Sequence, residues 1–273
     1  MPGAPRRLIT GFSNPTVKFL RSLRDKKHRR REGRFLAEGL RLLTDARESG
    51  FVPEMLVMAD RRDPHPLADA LEQAVESAGG TIVETTPEIL SKITGKDNPQ
   101  AIAGVFRAFD TSLAAIERDA APIWLVAQAL RDPGNLGTML RTGDAVGAGG
   151  LILIDDCTDP FAVEAVRASM GAIFTQRIAQ ARWDEFLPWL RGGPGQLVAA
   201  SLRDAVPYRA APYAAPCFIL VGNESRGLPA DYESACDVRV TMPMRGRADS
   251  LNAAVAGAVL AYEVLASLER GDS

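Results

Sequence analysis

The chain of 273 residues carries only three cysteines, Cys157, Cys217 and Cys236, and two histidines, His28 and His65. An odd number of thiols without C-x-x-C spacing argues against a disulfide framework or a zinc site and suits a reducing cytoplasm. Neither histidine falls in a ligand cluster, so no metal is expected. No apolar run reaches the roughly 18 residues that a bilayer span needs. The opening "MPGAPRRLITGFSNP" lacks the apolar stretch of a secretory signal. It bears arginines and few acids, which leaves an organelle-transit reading open. There is no G-x-G-x-x-G and no Walker lysine, which speaks against a dinucleotide-dependent oxidoreductase and against nucleotide triphosphate binding.

What is present is an ordinary soluble composition, 46% apolar and 24% charged, long enough for two domains or one large α/β domain. The net charge of −2 hides an uneven distribution. In "VKFLRSLRDKKHRRREGR" the basic residues Lys18, Arg21, Arg24, Lys26, Lys27, Arg29, Arg30 and Arg31 surround only Asp25 and Glu32. A solvated helix face is one explanation. The other is a polyphosphate partner, because so many like charges repel one another unless an anion is near.

Leu20 and Leu23, then Leu36, Leu40 and Leu43, recur at helical spacing and predict helices over residues 15–31 and 33–49. "PEMLVMA", "TIVETT" and "QAIAGVFRAF" read as strands, with helices in "PLADALEQAVESAG", ended by Gly79, and "PEILSKITG". This α/β alternation marks a small domain over residues 10–108. The Ala-rich, polar segment 109–121, which runs up to Pro122, is the expected linker. From 122 to 270 the alternation restarts with "IWLVAQ", "LILI", "QRIAQ", "QLVAAS", "CFILVG" and "VRVTMP". Helices are expected over residues 135–147, 160–170, 183–191 and 231–235. Strands apolar throughout, with helices between them, imply a mostly parallel sheet covered on both faces.

Three segments of that second domain can carry chemistry. In "ALRDPGNLGTMLRTGD" a strand feeds a loop and a helix, with Asn135 a plausible N-cap and Arg141 under two turns further on. In "CFILVGNESRGL" two glycines flank Glu224 at a strand's carboxyl end, where ligands bind in open α/β sheets. In "VTMPMRGRADSLNAAVAGAVLAYE" an irregular loop leads to a helix starting near Ser250, capped by Asp249 or Ser250. Small residues cover every face of that helix. Gly257 within it costs about 1 kcal/mol relative to Ala, so close backbone approach is expected there.

In this order, "NLGTMLRT", "LVGNESRGL" and "MPMRGRADSLNAAVAGAVLAYE" resemble the three motifs of the SpoU (TrmH-like) RNA 2′-O-ribose methyltransferases of the SPOUT superfamily. The N-terminal segment resembles the substrate-binding domain of its rRNA-directed members, an α/β fold like ribosomal protein L30e. The resemblance implies a deep trefoil knot near the C-terminus, a rare exception to the rule against threading. It also implies a homodimer formed through that region and S-adenosyl-L-methionine (AdoMet) bound in the knot. Carried over, it places the cofactor against Ser201, Gly222, Glu224, Met242, Met244 and Leu251. Asn135, Arg141, Glu224, Ser250 and Asn252 match the polar catalytic set. Asp249 stands where many relatives have Glu, and Ala253 and Ala254 replace bulkier neighbours; neither removes a functional group. The RNA is expected to be rRNA of the 23S type, with tRNA, or a non-catalytic RNA-binding role on the same fold, as alternatives.

Overall fold

The computed structural model describes residues 6–59 and 65–271, and the chain divides into two compact units. The transit-segment reading rests partly on residues 1–5, outside the described residues. Unit 1 comprises Met1–Phe109 together with Asp159–Phe174, and unit 2 comprises Asp110–Thr158 and Thr175–Ser273. The elements of the first stretch are β1 (Arg6–Ile9), α1 (Pro15–Ser22), α2 (Lys26–Glu32), β2 (Arg34–Glu38), α3 (Leu40–Glu48), β3 (Met55–Ala59), α4 (Pro66–Ser77), β4 (Thr81–Thr85), α5 (Pro87–Thr94) and β5 (Ile102–Arg107). There follow β6 (Ile123–Gln128), α6 (Pro133–Ala145), β7 (Gly150–Ile154), α7 (Val163–Ala168), β8 (Arg177–Ala181), α8 (Trp183–Arg191), β9 (Gln196–Ala200), β10 (Val206–Pro207), β11 (Cys217–Val221), α9 (Ala230–Ser234), β12 (Val238–Thr241) and α10 (Ala253–Gly271).

Unit 1 is a mixed five-stranded sheet in the order β1-β4-β3-β5-β2, parallel on the β1 side and antiparallel where β5 pairs with β3 and β2. Two expected helices are corrected here. Residues 15–31 form α1 and α2, because the Asp25 carboxylate accepts hydrogen bonds from the Lys27 and His28 amides and starts a new helix. Residues 33–49 form β2 and then α3, divided at Gly39, whose φ of +111° suits a residue without a Cβ. Leu36 therefore reaches the core from a strand and Leu43 from a helix.

The inclusion of Asp159–Phe174 in unit 1 has no counterpart in the sequence pattern. Val163 joins the core of Leu20, Leu36, Val57, Ile89 and Val105. Phe161 and Phe174 complete an aromatic cluster with Phe35, Phe51, Phe106 and Phe109, whose neighbouring ring centroids lie 4.8–6.1 Å apart. Two ion pairs fix the segment. The buried Arg29 bonds Asp159 at 2.6 Å, and Arg167 bonds the buried Glu38 at 3.0 Å.

Unit 2 is an all-parallel seven-stranded sheet in the order β10-β12-β9-β11-β6-β7-β8. Its central strands are buried throughout, as a sheet covered on both faces requires. Of the segment expected as a linker, all but Phe109 belongs to this unit. Ile116 enters its core, and the Thr111 carbonyl accepts from the Gln180 amide. The strand order reverses where β11 inserts between β6 and β9, so the carboxyl ends of β6 and β11 form a topological switch point, the usual ligand crevice of such sheets. Among the described residues no helix is long and apolar enough to cross a membrane.

Candidate active site

Three loops meet at that switch point. The one after β6 is closed by Asp132, whose carboxylate accepts from the Asn135 amide at 2.8 Å and so caps α6, with Pro133 at its first position. Asn135 is therefore not the cap expected from the sequence. Its side chain, released from that task, donates from Nδ2 to Glu224 Oε1 at 3.0 Å and accepts at Oδ1 from Asn252 Nδ2 at 2.9 Å.

The loop after β11 turns back on itself. Asn223 Oδ1 accepts from the amides of Ser225 and Arg226, and its Nδ2 donates to the Ala129 carbonyl at 2.8 Å, tying this loop to the end of β6. The Gly227 amide closes the turn on the Asn223 carbonyl. A Cβ on Gly222 would lie 2.5 Å from the Gly227 carbonyl carbon, so only glycine permits the fold-back. Sequence reasoning assigns Asn223 no role, yet the residues that follow it are fixed through it and tied to the end of β6.

The third loop joins β12 to α10. The cap of α10 is Asn252, not Asp249 or Ser250, because its Oδ1 accepts from the Ala254 and Val255 amides at 2.9 and 3.3 Å. One side chain thus starts α10 and holds Asn135, and a hydrogen-bonded chain Asn252–Asn135–Glu224 links the three motifs. Helix α10 packs on α6, β11 and β6. Most of its small residues lie on the buried face, with Ala253, Ala254, Ala256, Gly257 and Ala261 inside, Ala258 and Ala266 half-buried, and Val255 and Tyr262 outside. At Gly257 an added Cβ would meet Met139 Cε at 3.6 Å and Val221 Cγ1 at 3.8 Å, ordinary contacts, so the close backbone approach expected there is absent.

Between these loops and the loop after β9 lies a cavity of about 370 Å³, within the range of small-molecule sites. Ser201, Gly222, Glu224, Met242, Met244 and Leu251 all line it, as does Ser250. The lining joins thioether and aliphatic surface, suited to a flat ring, to the carboxylates of Glu224, Glu233 and Asp249. Glu233 was not anticipated, since a lone Glu in a short helix carries no sequence signal. Arg141 stands apart. It is exposed on α6, and no hydrogen bond or ion pair joins its side chain to another described residue. Among the described residues no group of His, Cys, Asp and Glu is placed to hold a metal ion.

In unit 1 the basic residues are divided. Lys18, Arg21, Arg24, Lys27, Arg30 and Arg31 are exposed and Lys26 is half-buried, with Lys18, Arg21 and Arg24 around one open depression. Arg29 is turned inward and so leaves the set expected to face phosphates. Its guanidinium bonds Asp159 and the carbonyls of Leu23 and Arg24.

Comparison with known proteins supplies the relatives. The sequence profile of the SpoU rRNA methylase family matches residues 122–262, and that of the MRM3-like substrate-binding domain matches residues 14–104. A 23S rRNA (guanosine(2553)-2′-O)-methyltransferase of Bacillus subtilis is 31% identical over 94% of this chain and 98% of its own length. A 23S rRNA (uridine(2479)-2′-O)-methyltransferase of Streptomyces viridochromogenes is 28% identical over 89% of this chain and 86% of its own. The crystal structure of an AdoMet-bound rRNA methyltransferase from Sinorhizobium meliloti superposes with a TM-score of 0.89 at 38% identity, covering 96% of this chain and 98% of that one.

Proposed function

The chain belongs to the SpoU rRNA methylase family, and from that membership we propose that it is an AdoMet-dependent RNA methyltransferase acting on a ribose 2′-hydroxyl of 23S-type rRNA. The observation that carries this is the convergence of the three motif loops on one cavity, joined by the Asn252–Asn135–Glu224 chain. The residues fit AdoMet. Leu251, Met242 and Met244 offer apolar surface for the adenine ring, and exposed backbone of the Gly222 turn is available to its polar edge. When bound, the cofactor supplies a methyl group on a positively charged sulfur.

The protein's part is to place and activate the hydroxyl. The Asn252–Asn135–Glu224 chain holds the loops in one arrangement, so that little reorganisation remains when the ribose arrives. Ser250, on the same loop as Leu251, faces the cavity and holds the ribose or the loop. The Arg141 guanidinium is a cation with N–H donors and no acceptor, so it is not the group that takes the proton. Its role is to stabilise the developing alkoxide or to hold the neighbouring phosphate, with the proton leaving late or through water. That Arg141 is exposed and unpaired leaves its guanidinium free for an RNA phosphate. Lys18, Arg21, Arg24, Lys26, Lys27, Arg30 and Arg31 contact further phosphates, which positions RNA without reading its sequence.

The family membership also supports a trefoil knot around the cavity and a homodimer formed through α10. The outward Val255 and Tyr262, with the half-buried Ala258 and Val259 between them, give that helix an apolar outer stripe for a second copy. The test of the activity is to map 2′-O-methyl sites in cellular RNA with and without the gene. A single 23S-type site lost on deletion and restored by the purified protein with AdoMet is expected. An unchanged map, or loss only in tRNA, overturns the assignment.

A further inference from the structure

The cavity lining contains two carboxylates that the reaction described above does not use, Asp249, which is exposed, and Glu233, which is buried. Glu233, in α9, is 7% exposed and lines the cavity beside Ser201. Its Oε1 accepts from Ser201 Oγ at 2.7 Å, and Ser201 Oγ accepts in turn from the Arg203 amide at 3.0 Å. The serine hydroxyl is thus spent within the protein and has no hydrogen left for a ligand.

Glu233 Oε2 is different. Its nearest cation, Arg203 Nη1, is 3.7 Å away on a side chain 68% exposed, too far for a hydrogen bond. Burying a carboxylate is costly unless its oxygens find donors. The enclosed polar atoms without partners among the described residues are Thr94 Oγ1, Arg167 Nε and Gln176 Oε1, so Glu233 Oε2 is not sealed in, and its residue lines the cavity.

Resting on the reading that AdoMet occupies this cavity, we propose that Glu233 is a cofactor-specificity residue whose Oε2 accepts a hydrogen bond from the adenosine half of AdoMet. The strand order supports the choice of that half. Ser201 follows β9, two strands from β6, whose loop leads to Asn135. Two strand spacings are about 10 Å, which separates Glu233's neighbour from the methyl-transfer end by more than the sulfur and its substituents span. The donors on the adenosine half are the two ribose hydroxyls and the 6-amino group, and the experiment distinguishes them.

Calorimetric titration of the full chain measures affinity for S-adenosylhomocysteine and for its analogues lacking the 2′-hydroxyl, the 3′-hydroxyl, the 6-amino group (hypoxanthine in place of adenine) or the amino-acid ammonium. In the native protein, loss of the recognised donor weakens binding about 10-fold or more, the worth of a hydrogen bond to a charged group. In Glu233→Ala the parent compound is weakened by a like factor, and removing that same donor then changes affinity less than about 2-fold. Glu233→Gln keeps the side-chain volume and the bond to Ser201, so it serves as the folded control; it loses discrimination at the 6-amino group, whereas a ribose hydroxyl can accept from the new amide and then loses only the charge-assisted part of the bond. Equal penalties for every adenosine analogue in native and variant proteins overturn the proposal and leave Glu233 as a fastener of the turn at residues 201–204. Coupling to the ammonium alone overturns it as well. If the native protein binds neither AdoMet nor S-adenosylhomocysteine, the cofactor assignment itself fails and takes this proposal with it.

Discussion

Replacing Arg29 separates fold from RNA contact within one basic run. The side chains of Arg29 and Asp159 are 6% and 11% exposed, and the guanidinium also bonds two backbone carbonyls at 2.9 and 2.7 Å. Arg29→Ala removes all of these bonds and strands the carboxylate of Asp159. Breaking one side of a buried ion pair costs about 3–5 kcal/mol, and Asp159→Asn should approach the same loss because it strands the guanidinium instead. Arg30→Ala and Arg31→Ala remove exposed charges and should change stability by less than about 0.5 kcal/mol. All three tryptophans and all four tyrosines belong to unit 2, so their fluorescence does not follow unit 1. The suitable measurement is hydrogen exchange of the β2 and β5 amides. At 1.4 kcal/mol per factor of ten, Arg29→Ala should accelerate it by about 100-fold or more. RNA binding should respond in the opposite order. Each phosphate that Arg30 or Arg31 no longer neutralises lowers the slope of log K against log salt by about 0.7–0.9, while Arg29→Ala, measured where it is still folded, leaves the slope unchanged. An Arg29→Ala protein with native exchange rates and a reduced salt slope would refute the inward assignment.

Gly257→Ala should stabilise α10 by up to about 1 kcal/mol, since the new methyl meets only ordinary contacts; a lower melting temperature would mean that the helix is held closer than this. Asn135→Ala and Asn252→Ala both break the side-chain chain between the motifs and should slow methyl transfer about 10-fold or more with little change in AdoMet affinity. Only Asn252→Ala should also lose about 1 kcal/mol of stability, because only Asn252 caps a helix; equal melting temperatures for the two variants would contradict the assignment of the cap. Burial pushes the thiol of Cys157 up to about 11 and those of Cys217 and Cys236 up to about 12. At pH 8 about one thiol in a thousand or fewer is then ionised, so iodoacetamide should label none of the three within minutes in the native protein and all of them in denaturant; rapid native labelling would sink this.

The parallel sheet of unit 2 was legible because each of its main strands is an apolar run bounded by turn residues, and α8 falls on the residues the pattern predicts. The six residues that the resemblance assigns to the cofactor all line one cavity. Where periodicity failed, local competition decided. Leu36 and Leu40 are spaced as on one helix face, but Gly39 divides them between a strand and a helix. Caps were misplaced where several cap-forming residues stood within a few positions. For α6 a better signal was present, because Asp132 directly precedes Pro133, the N-cap and first-turn proline pairing. The membership of Asp159–Phe174 in unit 1 had no such signal. An amphipathic segment shows that it buries a face, and Phe161, Val163 and Phe174 do so, but nothing local says against which sheet.

The slenderness of α10 has a reason independent of any threading of the chain. Helices approach as closely as the side chains between them allow, and small residues bring the axes toward the short end of the usual 8–10 Å. Met139 on α6 lies near Gly257 on α10, and of the six buried residues in the N-terminal half of α10 all but Leu260 are alanine or glycine. Asn135 sits in the first turn of α6 and Asn252 immediately before the first turn of α10. Asparagine is a short side chain, so a 2.9 Å bond between two of them forms only where the two backbones are close. A leucine in place of the buried Ala254 would push the helices apart by more than such a bond can stretch. The alanines of α10 therefore set the distance across which Asn252 reaches Asn135, and through Asn135 they set the position of Glu224. Gly257 is the one place where the chain is thinner than this geometry requires, since alanine fits there too. What the packing demands is the absence of bulk, and it is the polar hinge ahead of the helix that makes use of the closeness so gained.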